Sequence, residues 1–132
     1  MFETKIEEIL QQVENINPVE YGKTRNFIDG AVTKLSPYIS RGVISTKFVL
    51  DKITQKKYKF PEIEKFLMEL AWRDYFQNVW RVRGEMIDND LSQDQPDVKN
   101  TEMPKAVLNA TTGIEAIDAG IKGLYETGYV HN

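Results

Sequence analysis

The chain has 132 residues, 41% hydrophobic and 28% charged, with a formal net charge of −3, enough for one domain that buries about two-thirds of its unfolded surface. Absence of cysteine excludes a disulfide framework, a thiolate metal centre and a cysteine nucleophile, and a lone histidine, His131, argues against a histidine-rich metal site. No apolar run approaches the roughly 20 residues that span a bilayer, and Glu3, Glu7 and Glu8 stand where a signal peptide would be apolar, so a soluble cytoplasmic protein with no membrane partner is expected.

Phe2, Ile6, Ile9, Leu10 and Val13 keep helical spacing, which predicts an amphipathic helix over residues 2–15 that Asn17-Pro18 ends. Residues 18–34 have no sustained period. Gly22 and Gly30 bracket them, and Lys23, Thr24, Arg25 and Asn26 break any strand pattern. An ordered loop with short helical turns is expected, its side chains binding or capping something. Ser36-Pro37 predicts a helix start, with serine as N-cap and proline at the first helical position, and Gly42 keeps that helix short. Ser45 caps the next one, through Phe48, Val49, Leu50 and Ile53. Two helix N-termini so close together offer unpaired N–H groups to a phosphate, although ordinary capping alone gives the same pattern.

Charge is unevenly spread. Residues 1–20 carry −4, residues 21–60 carry +7 and residues 61–132 carry −6. A basic block within an acidic chain suggests a local polyanion site. For Lys52 to Lys59 a solvated helix face accounts for the charge equally well, whereas Arg25 and Lys34 sit among Gly, Thr and Ser.

Pro61 restarts a helix that runs to Gly84. Met68, Trp72, Tyr75 and Val79 fall on one face of it, with Leu67, Leu70 and Ala71 beside them. Glu69, Trp72, Arg73 and Phe76 share a face at i, i+3, i+4 and i+7. A carboxylate, an indole and a guanidinium side by side suit a ring that is both stacked and hydrogen-bonded. An Arg–Glu pair over a core tryptophan would read identically, and both readings stand at this point. Residues 85–104 form an acidic connection with Asp88, Asp90, Asp94 and Asp97, but without the spacing and central glycine of a calcium loop, so no metal is expected. Thr112 with Glu115 predicts a capping box for a last helix. Ile114, Ile117, Ile121 and Leu124 line that helix, Gly120 and Gly123 leave its other side small, and Gly128 ends it. No strand pattern or repeat occurs. The expectation is an all-α, bundle-like single domain over residues 1–132.

In order, the segments Tyr21-Gly-Lys-Thr-Arg25, Asp29-Gly30, Val32-Thr-Lys-Leu-Ser36-Pro-Tyr38, Gly42-Val-Ile-Ser45, Glu69-Leu-Ala-Trp72-Arg73-Asp74-Tyr75, Thr112-Gly113, Ile117-Asp118-Ala119, Thr127-Gly128-Tyr129 and His131-Asn132 resemble the helical FAD-binding domain of the DNA photolyase/cryptochrome family. The resemblance runs from about Tyr21 to the end. It implies FAD as cofactor, with Tyr21, Val32, Thr33, Lys34, Leu35 and Ser36 around its phosphates and ribitol. It implies that Glu69 and Trp72 hold a flipped pyrimidine dimer by hydrogen bond and stacking. Arg25 would contact DNA phosphate, Arg73 would lie between flavin and DNA, and Asn132 would reach toward the lesion. On this basis the exposed-face reading of the Glu69–Trp72 helix is preferred to the core reading.

Departures from the family pattern are specific. Its usual Thr-Ser-Arg is Val32-Thr33-Lys34, which loses one hydroxyl and a guanidinium fork. Its usual Tyr-Pro after Thr-Gly is Ile114-Glu115, and the tryptophan of its electron relay has no counterpart between residues 85 and 110. The family usually carries a preceding antenna domain and a following isoalloxazine-contacting segment; neither is expected within these 132 residues, which would hold part of a flavin site. The implied function is light-dependent repair of pyrimidine dimers in damaged or single-stranded DNA by electron transfer from reduced FAD. The alternatives are a cryptochrome-like light sensor without repair activity, or a helical DNA- or protein-interaction module that has lost flavin. Self-association through an exposed inner face is a further expectation.

Overall fold

A computed structural model describes residues 2–89, 93, 96, 97 and 99–130. Every regular element among the described residues is helical, as expected. The chain divides into two compact units, Met1–Arg83 and Gly84–Asn132.

The first unit begins with α1, Ile6–Glu14, shorter than the predicted 2–15. Before it, residues 2–5 hold no regular structure, and the Glu3 carboxylate accepts from the backbone N–H groups of Thr4 (2.7 Å) and Lys5 (2.9 Å). Ile9 and Val13 bury the inward face of α1, and Phe2 lies edge-on to Tyr38 at 6.2 Å. Asn17 opens α2, Pro18–Thr24, by accepting from Glu20 N–H at 3.1 Å, with Pro18 at the first turn. Asn17-Pro18 therefore ends one helix and begins the next, turning part of the expected loop into helix. The short α3, Ser36–Ser40, is preceded by Leu35 rather than capped by the Ser36 side chain. Lys34 adopts a left-handed backbone (φ 53°), which turns the chain one residue earlier than the Ser-Pro signal implies. Ser45 caps α4, Thr46–Thr54, as expected, accepting from Phe48 N–H at 3.0 Å.

Helix α5, Phe60–Arg83, is about 36 Å long. Glu62 accepts from Lys59 N–H (2.9 Å) at its start, and Gly84 (φ 54°) turns the chain into a short 3-10 segment, Gly84–Asp88, at its end. Its first half is buried through Ile63 and Phe66, with Leu67 and Leu70 half-buried. They close a core made with Ile9, Val13, Ile16, Leu35, Tyr38, Ile44, Val49 and Ile53. Lys52 pairs with Glu14, and the Lys56 ammonium reaches the backbone carbonyl of Glu14, joining α4 to the end of α1. Part of the basic block is therefore structural.

The second unit contains α6, Lys105–Leu108, and α7, Glu115–Thr127. Gly128 (φ 70°) closes α7 as expected, with its N–H on Leu124 O at 2.8 Å. The expected Thr112–Glu115 capping box does not form. Asp118, one turn into the helix, takes that place: its carboxylate accepts from Thr112 Oγ1 (2.7 Å), Thr112 N (2.8 Å) and Gly113 N (3.2 Å). A carboxylate satisfies three donors here where the box would pair two, so the deeper acid wins. These hydrogen bonds, the Thr112 hydroxyl first, hold the Asp118 carboxyl below its usual range.

That shift predicts an acid response. A carboxyl depressed in the folded state contributes stability that is full above its unfolded value of about 3.9 and is lost as pH falls through the lower folded value. Protection of the Thr112 and Gly113 amides, measured as exchange relative to the intrinsic rate at each pH, should fall below about pH 4 and hold steady between pH 5 and 8. Asp118→Asn should remove the acid step and give fast exchange at neutral pH.

Candidate functional site

The middle of α5 gathers several of the residues singled out by sequence. Tyr21 on α2 meets Phe66 edge-on, with ring centroids 5.1 Å apart. One turn further along each helix, Arg25 Nη1 lies 3.1 Å from Glu69 Oε1. A turn beyond Glu69 comes Arg73, half-buried, whose Nε is fully buried with no hydrogen-bond partner among the described residues. Beside them Trp72 is 48% exposed. It stacks on Phe76 at 5.8 Å and 25°, and meets Tyr75 edge-on at 5.6 Å. The indole is half in solvent among the described residues.

Thr46 at the start of α4 donates to Asp74 Oδ1 at 2.7 Å, anchoring α4 to α5 just past Arg73. Arg25 caps the end of α2, donating its N–H to Tyr21 O at 3.0 Å. Beyond it a turn is locked by Thr24, whose hydroxyl donates to Glu20 O (2.9 Å) and accepts from Ala31 N–H (2.9 Å). Phe27 N–H donates to Thr24 O and Gly30 N–H to Phe27 O. Sequence reading assigned Thr24 no role of its own. The available signal was a hydroxyl at a helix end eight residues before the phosphate run, with Gly30 between them.

Gly30 is needed in that turn. A β-carbon there would lie 1.9 Å from Thr24 O and 2.7 Å from Thr24 C, both backbone atoms with nowhere to go. Gly30→Ala should cost roughly 1–3 kcal/mol as an overpacked site. Urea denaturation and loss of amide protection at Ala31 measure it. An unchanged midpoint with Ala31 still protected would mean the turn relaxes freely.

The run that follows, Val32 to Ser36, has a divided character. Leu35 is 2% exposed and belongs to the core, so only its backbone is left for a ligand. Val32 and Thr33 are half-buried, and Lys34 and Ser36 are exposed. Left-handed Lys34 followed by right-handed Leu35 turns successive N–H groups toward one side, a concavity suited to an anion. Thr33 Oγ1 accepts from Leu35 N–H at 3.4 Å. Just beyond, the Tyr38 hydroxyl is buried and unpartnered among the described residues.

This donor set fits FAD. Lys34 and the Thr33 and Ser36 hydroxyls suit its phosphates, and the orphaned Arg73 Nε awaits an acceptor. Among the described residues, no hydrogen bond or ion pair joins the 32–36 run to Glu69, Trp72 or Arg73. Arg25, Glu69, Trp72 and Arg73 form one cluster, and the phosphate run forms another. Asn132 and His131 lie outside the described residues, as do Asp90 and Asp94 of the acidic connection. No group of three or more histidine or carboxylate side chains with metal-holding geometry occurs among the described residues. A shallow open groove of about 390 Å³, lined by Asp74, Gln77, Asn78 and Arg81, shares no residue with the predicted set. No helix among the described residues is long and apolar enough to cross a membrane.

The family described as the FAD binding domain of DNA photolyase matches residues 66–132. A deoxyribodipyrimidine photo-lyase of Alkalihalophilus pseudofirmus is 29% identical over 109 residues, covering 76% of this chain and 22% of that protein. A chloroplastic/mitochondrial cryptochrome DASH of Solanum lycopersicum is 33% identical over 128 residues, covering 85% and 21%. An uncharacterized protein of Acanthamoeba polyphaga mimivirus is 29% identical over 100 residues, covering 71% and 73%. The chain spans about a fifth of the length of the photolyase and cryptochrome relatives. No solved structure matches it significantly.

Proposed function

Because this chain belongs to the family of the FAD-binding domain of DNA photolyase, we propose that it supplies the phosphate-holding run and the lesion-reading helix face of a light-dependent DNA-repair flavoprotein. FAD is the family's cofactor. When bound and reduced, it supplies the electron that opens a pyrimidine dimer and to which the electron returns. The chain's own residues bind and orient. Thr33, Lys34 and Ser36 take the FAD phosphates, with Val32, Leu35 and Tyr21 fixing the path of the backbone around them. Arg73 donates its buried Nε between flavin and DNA. Trp72 offers a ring for a flipped base to stack on, and Glu69 accepts its hydrogen bond. Arg25 takes a backbone phosphate. Residues 1–132 act as a single domain in this reading.

The observation that carries the proposal is the exposed indole of Trp72 on α5, with Glu69 and Arg73 on the same helix and Arg25 brought to Glu69 from the end of α2. Burying such an arrangement in a core would leave polar atoms unpaired, and Arg73 Nε already is. The test is equilibrium binding of the 132-residue chain to an oligonucleotide with one thymine dimer and to its undamaged twin. Tighter binding of the damaged strand is expected, and equal binding would remove lesion recognition. Flavin titration is expected to show weak, reversible FAD binding.

A second reading, a light sensor without repair activity, is supported by the cryptochrome DASH relative and by Val32-Thr33-Lys34 in place of Thr-Ser-Arg. Dimer repair under near-ultraviolet light, assayed on the FAD-loaded protein, separates the two. The exposed side chains of Met68, Tyr75, Phe76 and Trp80 also support self-association. Sedimentation giving a clean monomer would count against it.

A further inference from the structure

Arg25 and Glu69 have separate roles in the proposed function, yet they face each other at 3.1 Å. Their side chains are 27% and 44% exposed, so a ligand can reach both. A carboxylate at this distance cancels much of the field by which a guanidinium attracts phosphate, and it takes up one N–H of the fork that phosphate would use. Glu69, in turn, has one oxygen engaged by Arg25. The pairing weakens each group for its separate role.

Only the side chains need to move. Arg25 is held at its backbone by its hydrogen bond to Tyr21 O and by the adjoining Thr24 latch. Glu69 lies in the middle of α5, three residues from Trp72. We propose, building on the nucleic-acid reading above, that Glu69 gates Arg25. In the free chain Glu69 masks the arginine from DNA phosphates. A base stacking on Trp72 brings N–H donors to the Glu69 oxygens, and Arg25 is released to grip the neighbouring phosphate. Binding linkage makes the exchange reciprocal: phosphate on Arg25 frees Glu69 for a base. Charge masking thus favours strands that present a flipped base over those that present only a backbone. Glu69 is a specificity-determining residue through Arg25 as well as through its own contact.

The masking predicts an effect opposite in sign to simple loss of a contact. The probe is undamaged oligothymidylate, its affinity for the full chain measured over a range of salt. Glu69→Gln and Glu69→Ala should both bind it more tightly than the wild type at low salt. Their salt dependence should steepen by about 0.7 in log–log slope, one extra phosphate contact on a single strand. Arg25→Ala in the Glu69→Gln background should abolish both gains. Glu64→Gln removes an exposed acid elsewhere on α5 and controls for net charge, so it should leave the slope unchanged. A slope unaltered or shallower in both Glu69 variants, while the wild type binds, overturns the gate and leaves the DNA reading standing. A steeper slope in Glu64→Gln as well reduces the effect to general charge and also overturns the gate. If neither the wild type nor any variant binds DNA at low salt, the DNA reading falls and takes the gate with it.

Discussion

Leu35→Ala should destabilise the first unit by roughly 2–5 kcal/mol, the usual cost of emptying a buried leucine site. The residue sits in the middle of the run expected to hold FAD phosphates, yet its side chain is 2% exposed and belongs to the same core as Tyr38, Val49 and Ile53. It is the peg that fixes the run to the protein. Its exposed neighbours should behave differently: Lys34→Ala and Ser36→Ala should stay within about 0.5 kcal/mol of the wild type in stability. Their cost should fall on FAD affinity. Urea midpoints for the three variants, set against flavin titrations of the folded ones, divide anchoring from contact. A Leu35→Ala midpoint within error of the wild type would mean the core closes over the gap and the run is held by something else.

Trp72→Ala should have the reverse profile. With the indole half in solvent and alanine the better helix former, stability should change by no more than about 1 kcal/mol. Affinity for a dimer-containing strand should fall by about 1–3 kcal/mol, roughly 5- to 150-fold, as a stacking platform is lost. The undamaged strand should lose less, because a paired and stacked base does not reach the ring. Competition binding with the two strands, on a variant whose helical circular dichroism matches the wild type, gives the answer. An equal loss for both strands would demote Trp72 to a general contact. No loss for either would place the DNA site elsewhere.

These two residues also mark how far sequence reading reaches. The face shared by Glu69, Trp72 and Arg73 was legible because helical spacing alone places them together, and Ser45 and Gly128 were legible because cap and stop signals are local. The meeting of Arg25 with Glu69 was not. It depends on α2 packing along α5, a contact between segments far apart in the chain. Leu35 read as part of a polar run because one apolar residue sets no period; its burial follows from the left-handed turn at Lys34, a conformation that lysine does not advertise. At α7 the capping box was the standard motif, but Asp118 stood one turn deeper and reached more donors. Asn17-Pro18 was read as a stop because proline ends one helix as readily as it begins another. Local rules placed the elements, and tertiary contacts chose among the local options.

The aromatic row on α5 has an optical consequence. Trp72 and Trp80 are the chain's two tryptophans, and both are largely exposed on the second half of this helix, at 48% and 66%. Indole fluorescence from this protein therefore reports on that one face and hardly at all on the core beneath α1 and α4. Emission should already lie toward the red in the native state, be open to quenching by iodide or acrylamide, and shift little in urea while circular dichroism collapses. Anything laid across the face, whether a nucleobase, a flavin or another polypeptide, should move the emission to the blue or extinguish it. Because Trp72 lies beside Glu69 and Trp80 two turns further on, Trp72→Phe and Trp80→Phe would show at which end the visitor sits.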